Sequence, residues 1–170
     1  MGLYFTNYLP DAVYGSNDGI ITTFAVVASA MGAGLEVKVV IILGIANLLA
    51  DGFSMGSSSY LAKKSARDIA RVQGDPPRRV LPFLGACTTF AAFVAAGSVP
   101  LLPFFFPFSG ADPFIASIAV TFLAFFMVGG LRSYATERGV ISSGLEMLCI
   151  GGTAALIAYG VGAGVEALIS

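Results

Sequence analysis

The stretch ANLLADGFSMGSSSYL, residues 46–61, is long and apolar enough to begin a membrane span, yet it carries an amide, a carboxylate and a thioether. Asn47, Asp51 and Met55 follow one another at intervals of four, which on a helix places them on one face. A charged group in hydrocarbon is expensive and by default signals a task. The rest of the chain decides whether hydrocarbon surrounds it. The chain has 170 residues, of which 56% are hydrophobic and 11% charged, and its mean hydropathy is +0.86. Soluble domains carry about 25% charged residues, so the composition indicates an all-α integral membrane protein. Histidine is absent, which excludes histidine-based catalysis and histidine metal sites. Cys87 and Cys149 are far apart in apolar segments and form no C-x-x-C pair, so they read as small helix residues.

A helical span needs about 20 mostly apolar residues. Five segments satisfy this, at about residues 11–35, 38–62, 80–102, 113–131 and 140–168, in a single membrane domain covering 1–170. The first is the most polar, with Asp11, Asn17 and Asp18, and Pro10 stands where a helix starts. The third is expected to stop at the proline-rich PLLPFFFPF, residues 100–108. The apolar runs are too long and too uniform for a strand barrel. The N-terminus has no basic region followed by an apolar one, so it is not read as a signal peptide. Its match to the myristoylation pattern is attributed to chance.

Lys63, Lys64, Arg67, Arg71, Arg78 and Arg79 lie in the loop expected at 63–79, and Arg132 and Arg138 follow the fourth segment. Only Lys38 faces them from the opposite side. Positive charge collects on the cytoplasmic side, which sets the N-terminus inside and the C-terminus outside. The basic run is thus read as a topology signal before a lipid or nucleic-acid patch. The small-x-x-x-small pairs Gly15/Gly19, Gly52/Gly56 and Gly160/Gly164 allow close helix approach. Five short helices offer little interior for a polar path, so a homodimer is expected, with the path at its interface.

In the first segment Asp11, Gly15, Asp18 and Thr22 share a face, at intervals of four, three and four. With a rise of 1.5 Å per residue, Asp18 is expected roughly 12 Å into its span, Met55 roughly 10 Å and Asp51 roughly 16 Å, one shared layer with Asp11 at its mouth. Glu146, roughly 9 Å into the fifth span, is a secondary candidate unless it pairs with Arg132 or Arg138. Oxygen ligands joined by a soft sulfur favour Fe²⁺ or Co²⁺ over Ca²⁺. A carboxylate in an apolar layer also tends to keep its proton. A group that holds either a proton or a metal is the simplest device for exchanging the two. An intramembrane aspartyl protease with Asp18 and Asp51 as its dyad is the enzymatic alternative, disfavoured by too few helices and no G-x-G-D motif. A non-transporting membrane scaffold is the other.

DAVYGSNDGIITTFAVVASAMGAGL (11–35), NLLADGFSMGSSSYLAKKS (47–65) and GLEMLCIGGTAALIAYGVG (144–162) resemble the vacuolar iron transporter family, also called the yeast cross-complements-calcium family. The resemblance covers nearly the whole chain. It implies a dimeric, non-enzymatic exporter of Fe²⁺, often also Mn²⁺, from the cytosol in exchange for protons, serving iron homeostasis. It also implies a pathway lined by the first two helices of both subunits, with no permanently bound cofactor. The family's helix-1 aspartate falls on Asp18, its helix-2 methionine on Met55 and its entrance acid on Asp11. There are departures. Eukaryotic members have a glutamate at Asn47, many members have Gly-Glu at Ser58-Ser59, and vacuolar members insert an acidic cytoplasmic domain where this chain has only 63–79, with Asp68 and Asp75. The chain therefore reads as a short prokaryotic-type member of a plasma (inner) membrane, an organelle membrane being the alternative. Some bacterial relatives carry an N-terminal ferritin-like domain, which here would be either a separate protein or a domain removed from this chain.

Overall fold

The computed structural model describes residues 2–74, 80–106, 110, 112–136 and 139–169, with the side chains of 2–6 and 134–136 left aside. Arg78, Arg79, Asp75 and Arg138 therefore lie outside the described residues. Among the described residues the fold is all helical: α1 (Gly2–Gly32), α2 (Val37–Gln73), α3 (Pro82–Gly97), a one-turn α4 (Leu102–Phe105), α5 (Pro113–Thr136) and α6 (Val140–Ile169). Among these residues, four stretches are long and apolar enough to cross a membrane: α2, α3 continued through α4, α5 and α6. The exception is α1. Its 31 residues are ample for a hydrocarbon core of about 30 Å, but Asn17, Asp18 and its glycines dilute its apolar content.

The arrangement of the helices accounts for that polarity. α1 touches α2, α3, α5 and α6, so protein rather than lipid surrounds much of it. Phe24, Val27 and Ala30 of α1 form one core cluster with Val40, Leu101 and Phe104. Ile20 forms another with Phe125 of α5 and Met147 of α6. The outward faces of the other helices expose large apolar groups such as Phe53, Leu123, Met127 and Leu156, as lipid-facing surfaces do.

Close approach to α1 rests on glycine. A Cβ at Gly15 would run into the Thr89 carbonyl oxygen, and one at Gly19 into that of Phe93, both on α3. Gly52 and Gly56 of α2 face Phe90, Phe93 and Ala86 of α3. On α6 the small-residue contact is displaced from the expected pair. A Cβ at Gly160 or Gly164 would meet none of the described residues of other helices, whereas one at Gly162 would run into the backbone of Ser29.

Several helix limits differ from those expected; α5 runs on to Thr136, and three others have a visible cause. α1 does not begin at Asp11 but at Gly2, so Pro10 lies inside it. The turns before the proline are anchored by buried Tyr8, whose hydroxyl accepts the Leu81 N–H at 3.0 Å. The segment 63–79 is not a loop throughout. α2 continues through the basic run to Gln73 and ends on Gly74, whose φ of 76° is left-handed and whose N–H returns to Ala70 and Arg71. That extension reaches about 16 Å beyond Ala62. α3 ends at Gly97, short of Leu102, because Pro100 and Pro103 enforce a 3-10 turn at Val99–Leu101 and then α4. The Pro100 carbonyl oxygen accepts the Ser117 hydroxyl of α5 at 2.6 Å.

Gly19→Ala is expected to lower unfolding stability in detergent by about 1–3 kcal/mol, since its methyl meets backbone. Gly160→Ala is expected to be neutral or stabilising, because it adds helix propensity at a position without neighbours. Thermal unfolding of the two variants side by side measures the difference.

Candidate functional site

The α1–α2 hairpin carries the candidate residues. Gly34, at φ 65°, lets the chain reverse within four residues, and the Leu35 N–H closes the end of α1 on the Ala30 carbonyl oxygen at 3.0 Å. The two helices therefore run antiparallel, and their register is fixed by a contact that the sequence reading missed. Lys63 Nζ lies 2.6 Å from Asp11 Oδ1, and the Ser59 hydroxyl donates to the same oxygen at 3.4 Å. Asp11 is only 7% exposed, so its charge is neutralised inside the protein rather than displayed at an open mouth. Gly85 of α3 makes the room. A Cβ there would stand 2.8 Å from Lys63 Cδ and 3.2 Å from Asp11 Oδ2.

Asp11 is thus level with α2 between Ser59 and Lys63. Counting inward from that level at 1.5 Å per residue, Met55 lies at about 9 Å, Asp18 at about 10 Å and Asp51 at about 15 Å. Asp18 and Asp51 are within electrostatic reach of each other, and Asp18, Asp51, Met55 and Asn47 are all half-buried. The hairpin thereby brings together carboxylates from two helices in one layer, with the thioether of Met55 on the same face of α2 as Asp51.

Two amides join this region. Asn47 Nδ2 and Asn17 Oδ1 are buried without a hydrogen-bond partner, in positions where an unmade bond is costly. Asn17 was not singled out from the sequence, although its place beside Asp18 was a signal. Thr22 is partly committed, its hydroxyl donating to the Asp18 carbonyl oxygen at 2.9 Å. Glu146 is not brought to the hairpin. It pairs with Arg132 of α5 at 3.3 Å, and both side chains are substantially exposed, so the pair contributes little. Among the described residues no three His, Cys, Asp or Glu side chains converge as a metal cluster. Any metal held here by one chain would therefore draw on thioether or amide donors beside the carboxylates.

The family model described as the VIT family matches residues 9–80 and 71–163, and the chain belongs to that family. The chain is 26% identical over 222 aligned positions to a vacuolar iron transporter 1 of Tulipa gesneriana, covering 96% of this chain and 89% of the relative. It is 25% identical over 213 positions to the protein of the same name from Eucalyptus grandis, covering 92% and 86%. A vacuolar iron transporter of Plasmodium falciparum is 47% identical over 60 residues, 35% of this chain and 22% of the relative. The first two alignments are longer than this 170-residue chain, so those relatives carry segments that it does not.

Lys63→Met leaves the Asp11 carboxylate buried without its cation and is expected to cost roughly 1–3 kcal/mol. Adding Asp11→Asn is expected to recover most of that loss. A double-mutant cycle by detergent unfolding reads the coupling directly.

Proposed function

We propose that this VIT family member carries a divalent transition metal, Fe²⁺ first and Mn²⁺ or Co²⁺ as alternatives, out of the cytosol in exchange for protons. The observation that carries the reading is the register of the α1–α2 hairpin set by Asp11 and Lys63, which brings the half-buried Asp18 and Asp51 to neighbouring depths, in a layer that also holds Met55. Each carboxylate accepts either a proton or a share of a metal ion. Two protons and one divalent ion leave the same net charge on the pair, so their alternation avoids stranding a charge in an apolar layer. The thioether inclines the donor set toward Fe²⁺ and away from Ca²⁺. Relatives that cover most of this chain are named vacuolar iron transporters, which supports iron as cargo and a transporter rather than an enzyme.

The working unit in this proposal is a homodimer. Ser54 and Ser58 are exposed on α2 beside the half-buried Asp51 and Met55. Lipid is a poor cover for such a face, and a second copy would supply an equal set of ligands. The basic end of α2 lies toward the cytosol by the distribution of Lys and Arg, and the membrane is a prokaryotic plasma membrane. Asp11 and Lys63 then sit at the cytoplasmic entrance as an internal pair. An arriving cation has to displace Lys63 before Asp11 can attract it.

The test is anaerobic Fe²⁺ flux into proteoliposomes with an imposed pH gradient. Wild type is expected to show gradient-dependent flux, Asp18→Asn to abolish it, and Met55→Ala to reduce it about ten-fold or more, as the loss of about 1.4 kcal/mol of binding would. Flux indifferent to the gradient would replace exchange with a channel. Absence of flux for Fe²⁺, Mn²⁺ and Co²⁺ from folded dimer would leave a non-transporting membrane subunit.

A further inference from the structure

The proposed pathway uses one side of α2. Phe53, Ser57, Tyr60, Lys64, Arg67 and Arg71 recur at intervals of four, three, four, three and four, which makes a second continuous stripe along the helix. At 100° per residue it lies roughly opposite Asp51, Met55 and Ser58. Two cavities between α2 and α3 follow this stripe. The first, of about 470 Å³, is lined by Phe53, Tyr60, Leu61, Phe83, Cys87 and Phe90 among others. The second, of about 550 Å³, is lined by Tyr60, Lys64, Arg67, Asp68, Arg71 and Phe83 among others. Tyr60 and Phe83 belong to both, so the two form one groove with an apolar end and a cationic end. At the junction Lys64 Nζ lies 5.9 Å from the centre of the Tyr60 ring, which holds the ammonium at the boundary.

We propose that this groove is a binding site for one anionic phospholipid, its phosphate among Lys64, Arg67 and Arg71 and an acyl chain along Phe53, Leu61 and Phe90. The dimensions agree. Phe53 to Lys64 spans about 16 Å of helix, close to half of a hydrocarbon core of about 30 Å and hence one leaflet. Lys64 to Arg71 adds about 10 Å, enough to cross a headgroup layer of roughly 5–8 Å. Among the described lining residues three cations face one carboxylate, Asp68, and basic pockets at the end of membrane helices select anionic headgroups. A free phosphate would leave the apolar half unfilled. A second copy docked through the same stripe would set like charges against one another.

The experiment is native mass spectrometry of the full chain in mild detergent, titrated with phosphatidylglycerol, phosphatidylcholine and, as the headgroup alone, glycerol 3-phosphate. Phosphatidylglycerol is expected to bind at least ten-fold more tightly than phosphatidylcholine, and glycerol 3-phosphate not to compete at equal concentration. Lys64→Gln, Arg67→Gln and Arg71→Gln are each expected to weaken phosphatidylglycerol about five-fold and to leave phosphatidylcholine unchanged. Equal binding of the two lipids, or an anionic preference that survives all three substitutions, overturns the site. Competition by glycerol 3-phosphate as effective as by the lipid overturns it in favour of a simple anion site. If a charge variant fails to fold, the three-ligand comparison on wild type still decides.

Discussion

A carboxylate cannot be left facing lipid, and the fold is arranged around that constraint. α1 carries Asp11 and Asp18 and falls short of the apolar content that a lipid-facing span needs. Contacts with α2, α3, α5 and α6 make it tolerable, because they replace hydrocarbon with protein along its polar face. Those contacts depend on the absence of side chains at Gly15, Gly19 and Gly162, where backbone meets backbone. Without a strong hydrophobic force between helices in a bilayer, close packing of this kind is the main source of cohesion. The glycines that look like gaps in the sequence are therefore the points at which the bundle is tied.

The same enclosure settles how the carboxylates differ. Asp11 is nearly buried and neutralised by Lys63, so it belongs to the structure as much as to any path. Asp18 and Asp51 are half-buried on the two antiparallel helices of the hairpin, where burial disfavours two neighbouring negative charges. The unpartnered amide atoms of Asn17 and Asn47 fall on the same two helices. Unpartnered hydroxyls also occur on Thr121 of α5 and Ser143 of α6, but the charged pair on that side, Arg132 and Glu146, is matched locally.

Much of this was legible in advance. Asp51 and Met55 share a face because four residues make about one turn, and that periodicity needs no structure. The all-helical class followed from runs of apolar residues too long for strands. Other features were not legible, for definite reasons. Lys63 and Asp11 are 52 residues apart, and no periodicity within one helix reveals a partner on another. Pro10 reads as a helix start because only a tertiary contact, here Tyr8 to Leu81, secures the turns that precede it. The basic run reads as a loop because charge marks the edge of the membrane, but leaving the membrane does not oblige a helix to end. Lys, Arg and Ala are all good helix formers, and α2 continues until Gly74 stops it.

That stopping point has an evolutionary side. From Arg71 to Gly74 the chain is exposed, and the two stretches matched by the family model meet at residues 71–80. Exposed segments such as Arg71 to Gly74 tolerate lengthening best. Lineages could enlarge or trim the protein here while the membrane bundle stayed as it was. Anything joined there would be attached to the same continuous helix that carries Asp51 and Met55.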